Sequence, residues 1–163
     1  MTLGSLWQLF ERETKGWMVG GTVAVLVGVA VGLAPAMGYP GYGDAALEVL
    51  LPSLFLCLGG GYAVLFPGVR VTRITLHVVR DWKLYPPSGR VLWILAHATA
   101  VTGLAVCILT ATTNPGVPGF LVWLFTGPYL ALTGWAAALM GTAANIRLTG
   151  SEESLIAAAA QPG

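Results

Sequence analysis

The sequence predicts an all-α polytopic membrane protein with four transmembrane helices, and three observations carry that expectation. First, 56% of the 163 residues are hydrophobic and only 9% are charged. A soluble domain carries about 25% charge, so this chain cannot dress a globular surface in polar groups and must turn much of it towards lipid. Second, residues 16–43, 49–69 and 91–146 contain no Asp, Glu, Lys or Arg. Third, all eight Lys and Arg fall on one side of the resulting pattern. Arg12 and Lys15 precede the first apolar stretch, Arg70, Arg73, Arg80, Lys83 and Arg90 lie between the second and third, and Arg147 follows the fourth. Cytoplasmic loops keep Lys and Arg while translocated loops shed them. The expected topology therefore puts both termini and the 67–90 loop in the cytoplasm, with the chain multi-pass in the plasma (inner) membrane.

At the N-terminus, Leu3, Trp7, Phe10 and Trp17 share one helical face while Glu11, Arg12 and Lys15 sit elsewhere. That predicts a short interfacial helix near 3–14. No order of basic, apolar and cleavage-site regions is present, so the first span is expected to be retained. A spanning helix needs about 20 predominantly apolar residues. The first two uncharged intervals each hold one span, near 17–37 and 46–66. The third holds two, near 91–112 and 120–143, divided by the turn signal Thr113-Asn114-Pro115-Gly116-Val117-Pro118-Gly119. Trp17, Trp82 and Trp93 lie near the inner interface, where an amphipathic ring sits well.

The segment 70–82 offers two periods. Val71, Ile74, Thr75, Val78, Val79 and Trp82 fall on one helical face opposite Arg70, Arg73, His77 and Arg80, which favours a second interfacial helix; Ile74, Leu76 and Val78 also alternate as a strand would. Pro67-Gly68 is expected to separate this segment from the second span, and Pro86-Pro87 to end it. After Arg147 the tail predicts a short helix capped by Ser151, with Glu152 and Glu153 at its positive end.

The two halves resemble each other. Tyr39-Pro40-Gly41 aligns with Asn114-Pro115-Gly116, Gly28 with Gly103, and Pro52-Ser53-Leu54-Phe55-Leu56 with Pro128-Tyr129-Leu130-Ala131-Leu132. Within a single domain spanning 1–163, this suggests tandem two-helix hairpins over about 17–73 and 91–149. Two spans per unit make the repeat parallel, about an axis along the membrane normal. Gly20, Ala24, Gly28, Gly32 and Ala36 in the first span, and Thr99, Gly103, Cys107 and Ala111 in the third, put a small residue at every fourth position. Such stripes admit close helix packing, and the first and third spans are expected at the centre of the bundle.

Chemistry-bearing residues are few. Apart from Glu48 at the outer edge of the second span, and the cysteines and tyrosines, His97 is the only ionisable side chain inside the predicted spans and, with Thr99 and Thr102, forms a candidate intramembrane polar site. Packing against a backbone or threonine oxygen is the plainer role. Haem ligation through His97 would need a second histidine at matching depth, and the only other, His77, lies in the 67–90 loop; no cofactor or metal is expected. Cys57 and Cys107 have no metal-ligand spacing and read as packing residues. Arg70, Arg73, His77, Arg80, Lys83 and Arg90 are candidates for contact with anionic lipid headgroups or a cytoplasmic partner. No phosphate loop, catalytic triad or intramembrane carboxylate is present. The expected partners are membrane lipids and other membrane protein subunits or further copies of this chain, not nucleic acid. The expected role is a non-catalytic subunit of a membrane complex. The alternatives are a small oligomeric channel or carrier with its path along the third span, and the membrane anchor of an electron-transfer complex.

Overall fold

The computed structural model describes residues 3–34, 46–72, 82, 85–113 and 117–159. These form five helices: α1 (Leu3–Gln8), α2 (Arg12–Leu33), α3 (Ala46–Thr72), α4 (Pro87–Thr113) and α5 (Val117–Ala159). No strand occurs among the described residues. Four stretches, Arg12–Leu33, Glu48–Arg70, Pro87–Thr113 and Gly119–Ala144, are long and apolar enough to cross a membrane. The four-span expectation therefore holds. Of the 70–82 segment only the end of α3 and Trp82 are described. Its remainder, with Arg73, His77 and Arg80, lies outside the described residues, as do Lys83 and Ala36.

The helices pack in the order α2, α3, α5, α4. The second and fourth spans thus occupy the centre and the first and third flank them, the reverse of the expected arrangement. The reason lies in where glycine lets backbones meet. A Cβ built on Gly61 would lie 3.0 Å from the carbonyl oxygen of Gly127, and one on Gly134 would lie 2.6 Å from that of Val64. Gly68 likewise abuts the backbone of Gly134. These contacts run α3 and α5 side by side in the same direction. On the flanks, Gly21 meets Gly60 and Gly28 meets Cys57, setting α2 antiparallel to α3; Gly103 meets Phe125 and Gly89 meets Met140, setting α4 antiparallel to α5.

The repeat alignment does not predict this register. It places Thr133 opposite Gly103, the counterpart of Cys57 opposite Gly28, but Phe125 occupies that place, about two helical turns earlier. The connection between α4 and α5 is shorter than that between α2 and α3, which slides α5 along its partner.

The end of the bundle bearing Arg12, Lys15, Arg70 and Arg90 packs around α5. There Ala136–Ala138, Leu139, Met140 and Ala143 of α5 are buried. α1 covers one side: Leu6 and Phe10 are buried, and Trp7 stacks on Trp135 with ring centroids 5.4 Å apart. α1 is shorter than the 3–14 segment expected, and Leu6 of α1 and Phe10 in the turn after it point into protein rather than into lipid. On the other side, Trp82, Tyr85 and Trp93 pack against Ala136 and Met140.

Two further expectations are corrected. Pro67-Gly68 does not break α3, which runs on to Thr72. Proline withdraws one helix donor, but membrane helices tolerate it where tertiary packing and local adjustment hold the helix together, and α5 packs closely on α3 at Gly68, the next residue. Nor does the C-terminal tail form a separate helix capped at Ser151, because α5 continues without interruption to Ala159. Glu, Leu and Ala are strong helix formers, and a helix already nucleated extends at little cost.

Candidate functional site

A concavity lies at the basic end, between the start of α2 and the end of α3. It is an open cleft of about 1220 Å³. Phe10, Trp17, Tyr62 and Phe66 supply much of its apolar wall; Glu11, Glu13 and Arg70 supply charge at its rim. Thr142 and Ile146 of α5 close the back. A second, shallower groove of about 620 Å³ shares Glu13, Trp17, Gly59 and Ala63 with the first and continues along the seam of α2 and α3 past Gly16, Gly20 and Ala24.

Local sequence explains the shape. Gly16 and Gly20 on α2, and Gly59 on α3, have no side chain and no neighbour within 4 Å of where a Cβ would stand. They leave a channel between the helices that larger residues would fill. At its mouth Pro67 has no N–H to give the Ala63 carbonyl, and both residues line the cleft. Tyr62 and Phe66 lie one turn apart with centroids at 6.1 Å, forming an aromatic lip. Lys15, although close in sequence, is engaged elsewhere: its Nζ donates to the Gln8 carbonyl at 3.3 Å and lies 5.7 Å from the Trp7 ring centre. Among the described residues no ion pair joins Arg70 to Glu11 or Glu13.

The packing stripe is redrawn. Gly28 and Gly32 are buried at helix contacts, but Gly20 faces open space and the close approach is made by Gly21. A residue at every fourth position drifts about 40° around a helix per step, so a stripe from Gly20 to Gly32 turns through about 120°. The buried row of α2 is Met18, Gly21, Val25, Gly28 and Gly32, spaced alternately by three and four, which holds one face. α4 behaves likewise: its buried row is Gly89, Ala96 and Gly103, seven apart, whereas Thr99 and Cys107 are half-buried and Ala111 is exposed.

His97 lies on the exposed side of α4. Its Nδ1 is 2.8 Å from the Trp93 carbonyl oxygen one turn earlier, which sets Nδ1 as the donor. Its ring sits 4.7 Å from Trp93 and 6.4 Å from Tyr129. Thr99 donates to Leu95, and Thr110, Thr112 and Thr113 likewise bond carbonyls of their own helix. Thr102 is exposed. The structure does not gather His97, Thr99 and Thr102 around an interior path. Of the basic candidates, Arg70 reaches the cleft, and Arg90 is anchored: its Nε donates to the Tyr85 carbonyl at 2.8 Å, closing the turn before α4. Among the described residues no three His, Cys, Asp or Glu side chains gather as a metal site requires.

Sequence reasoning passed over three groups that join helices through hydrogen bonds. Ser53 is fully buried and its Oγ donates to the Gly28 carbonyl at 2.7 Å, tying α3 to α2. Trp135 Nε1 donates to Thr22 Oγ1 at 2.9 Å, tying α5 to α2. A lone serine within an apolar run was the available signal for Ser53. Nothing in the sequence pairs Trp135 with Thr22. Comparison with protein-family models, curated proteins and solved structures finds no match to this chain.

Proposed function

We propose that this chain is a non-catalytic integral membrane subunit that assembles with other membrane proteins, or with copies of itself, through the outer face of α4. The observation that carries the reading is the exposure of α4. Only Gly89, Ala96 and Gly103 of this helix are buried, while His97 and Thr102 point outward from a span long and apolar enough to lie in hydrocarbon. Polar and ionisable side chains facing lipid are costly and usually face protein instead, and interhelical hydrogen bonding to such groups favours association. The one-sided Lys and Arg support placing both ends and the 67–90 loop in the cytoplasm.

A photo-cross-linking residue at Val101, exposed on α4, tests the reading in intact membranes against the same residue at Phe55, exposed on α3. Val101 is expected to give a discrete higher-mass product whose partner mass spectrometry identifies. Phe55 is expected to give none. No discrete product from Val101, or equal products from both, would overturn the assignment of α4 as the docking face.

A further inference from the structure

We propose that the cleft and groove along the α2–α3 seam form a binding site for one membrane phospholipid whose headgroup carries a primary amine, of the phosphatidylethanolamine class. The proposal goes beyond assembly through α4 and does not depend on it.

The argument starts from dimensions. From Glu13 to Ala24 the groove follows twelve residues of α2, about 16 Å from first to last at 1.5 Å per step. That is about half of a hydrocarbon core roughly 30 Å thick, the depth of one leaflet. The groove begins among the charged residues at the start of α2 and ends near mid-span. At about 1220 Å³ the headgroup end alone exceeds the roughly 300–1,000 Å³ usual for small-ligand pockets. An occupant must therefore be long, polar at one end and apolar at the other.

Its headgroup follows from the rim. Arg70 offers a planar fork of donors suited to a phosphate. Glu11 and Glu13 oppose it with two carboxylates, which accept hydrogen bonds from an ammonium group and repel an anionic headgroup. A rim of one guanidinium and two carboxylates matches a zwitterion better than an anion. This departs from the anionic-lipid contact expected of the basic cluster, because of its two members among the described residues, Arg70 and Arg90, Arg70 lines the cleft and shares it with acids. Trp17 and Tyr62 stand where amphipathic rings sit at the headgroup level. Below them, Gly20 and Gly59 leave the space an acyl chain would take.

The test uses the full-length chain, extracted gently and equilibrated in mixed micelles with equal amounts of phosphatidylethanolamine, phosphatidylcholine and phosphatidylglycerol. Native mass spectrometry counts the lipids retained. Phosphatidylethanolamine is expected to be held preferentially, one per chain. Arg70→Gln is expected to lower its retention about tenfold, the factor set by losing one charge-assisted hydrogen bond. The double variant Glu11→Gln with Glu13→Gln is expected to lose the preference over phosphatidylcholine. Gly59→Leu and, from the opposite wall, Gly20→Leu are expected to expel the lipid while leaving helix content and the lipid-free melting temperature unchanged, since a Cβ at either position meets no neighbour within 4 Å. Gly119→Leu, equally unhindered but remote from the groove, is the control that keeps it. Phosphatidylglycerol held as strongly as phosphatidylethanolamine, no lipid held at all, or equal retention in the wild type and both groove-filling variants would overturn the proposal.

Discussion

Gly20 and Gly21 are neighbours on α2, and Gly59 and Gly60 are neighbours on α3, yet the two members of each pair do opposite things. A Cβ on Gly21 would lie 2.6 Å from the Gly60 carbonyl oxygen, and a Cβ on Gly60 would lie 2.6 Å from the Gly21 carbonyl oxygen. At Gly20 and Gly59 a Cβ would meet nothing within 4 Å. One pair lets two backbones touch; the other keeps a groove empty. A step of one residue is about 100° around a helix, enough to move a glycine from a packed seam to an open wall. The comparison teaches that glycine count in a membrane helix says little about packing until the face is known.

The comparison can be broken most forcefully by substitution across the pairs. Gly21→Leu and Gly60→Leu are each expected to destabilise the bundle by about 1–3 kcal/mol or more, because the obstructing atoms are backbone and cannot give way. Gly20→Leu and Gly59→Leu are expected to stay within about 0.5 kcal/mol of the parent. Equilibrium unfolding in detergent distinguishes these outcomes, and equal effects at Gly20 and Gly21 would abolish the distinction. A smaller effect sharpens the seam itself. Ser53→Ala removes the hydrogen bond from α3 to the Gly28 carbonyl and is expected to cost about 1 kcal/mol in the same assay. Smaller than Ser53→Ala is Trp135→Phe. It retains most of the ring stacked on Trp7 but loses the donor to Thr22, for an expected loss of roughly 0.6 kcal/mol. An effect larger than that of Ser53→Ala would show that the α2–α5 contact matters more than the α2–α3 seam.

How much was legible in advance differs by region. The spans could be read because a charge-free run of about 20 residues has one physical meaning in a lipid bilayer. The candidate site was barely legible. Arg70 stood out as a basic exit residue, but Glu11 and Glu13 read as parts of an N-terminal interfacial segment. Only the docking of α1 and the continuation of α3 through Pro67 bring them to one cleft with Arg70. The small-residue row was visible, and its period was misjudged: alternate steps of three and four keep one face, whereas steps of four wind off it. His97 could be singled out by its type, but its bond to the Trp93 carbonyl and its outward position depend on which face α5 covers.

By itself the sequence determined that this is a helical chain with four segments able to cross a membrane, because backbone polar groups in hydrocarbon must bond within the helix and charged side chains mark where the hydrocarbon ends. Tertiary structure alone decided which helices lie at the centre, since lipid gives apolar faces no preference for one another. That choice falls to local shape: Gly61 and Gly68 facing Gly127 and Gly134 allow α3 and α5 their close approach. It also decided which glycines were left over on α2 and α3 to hold a groove open between them.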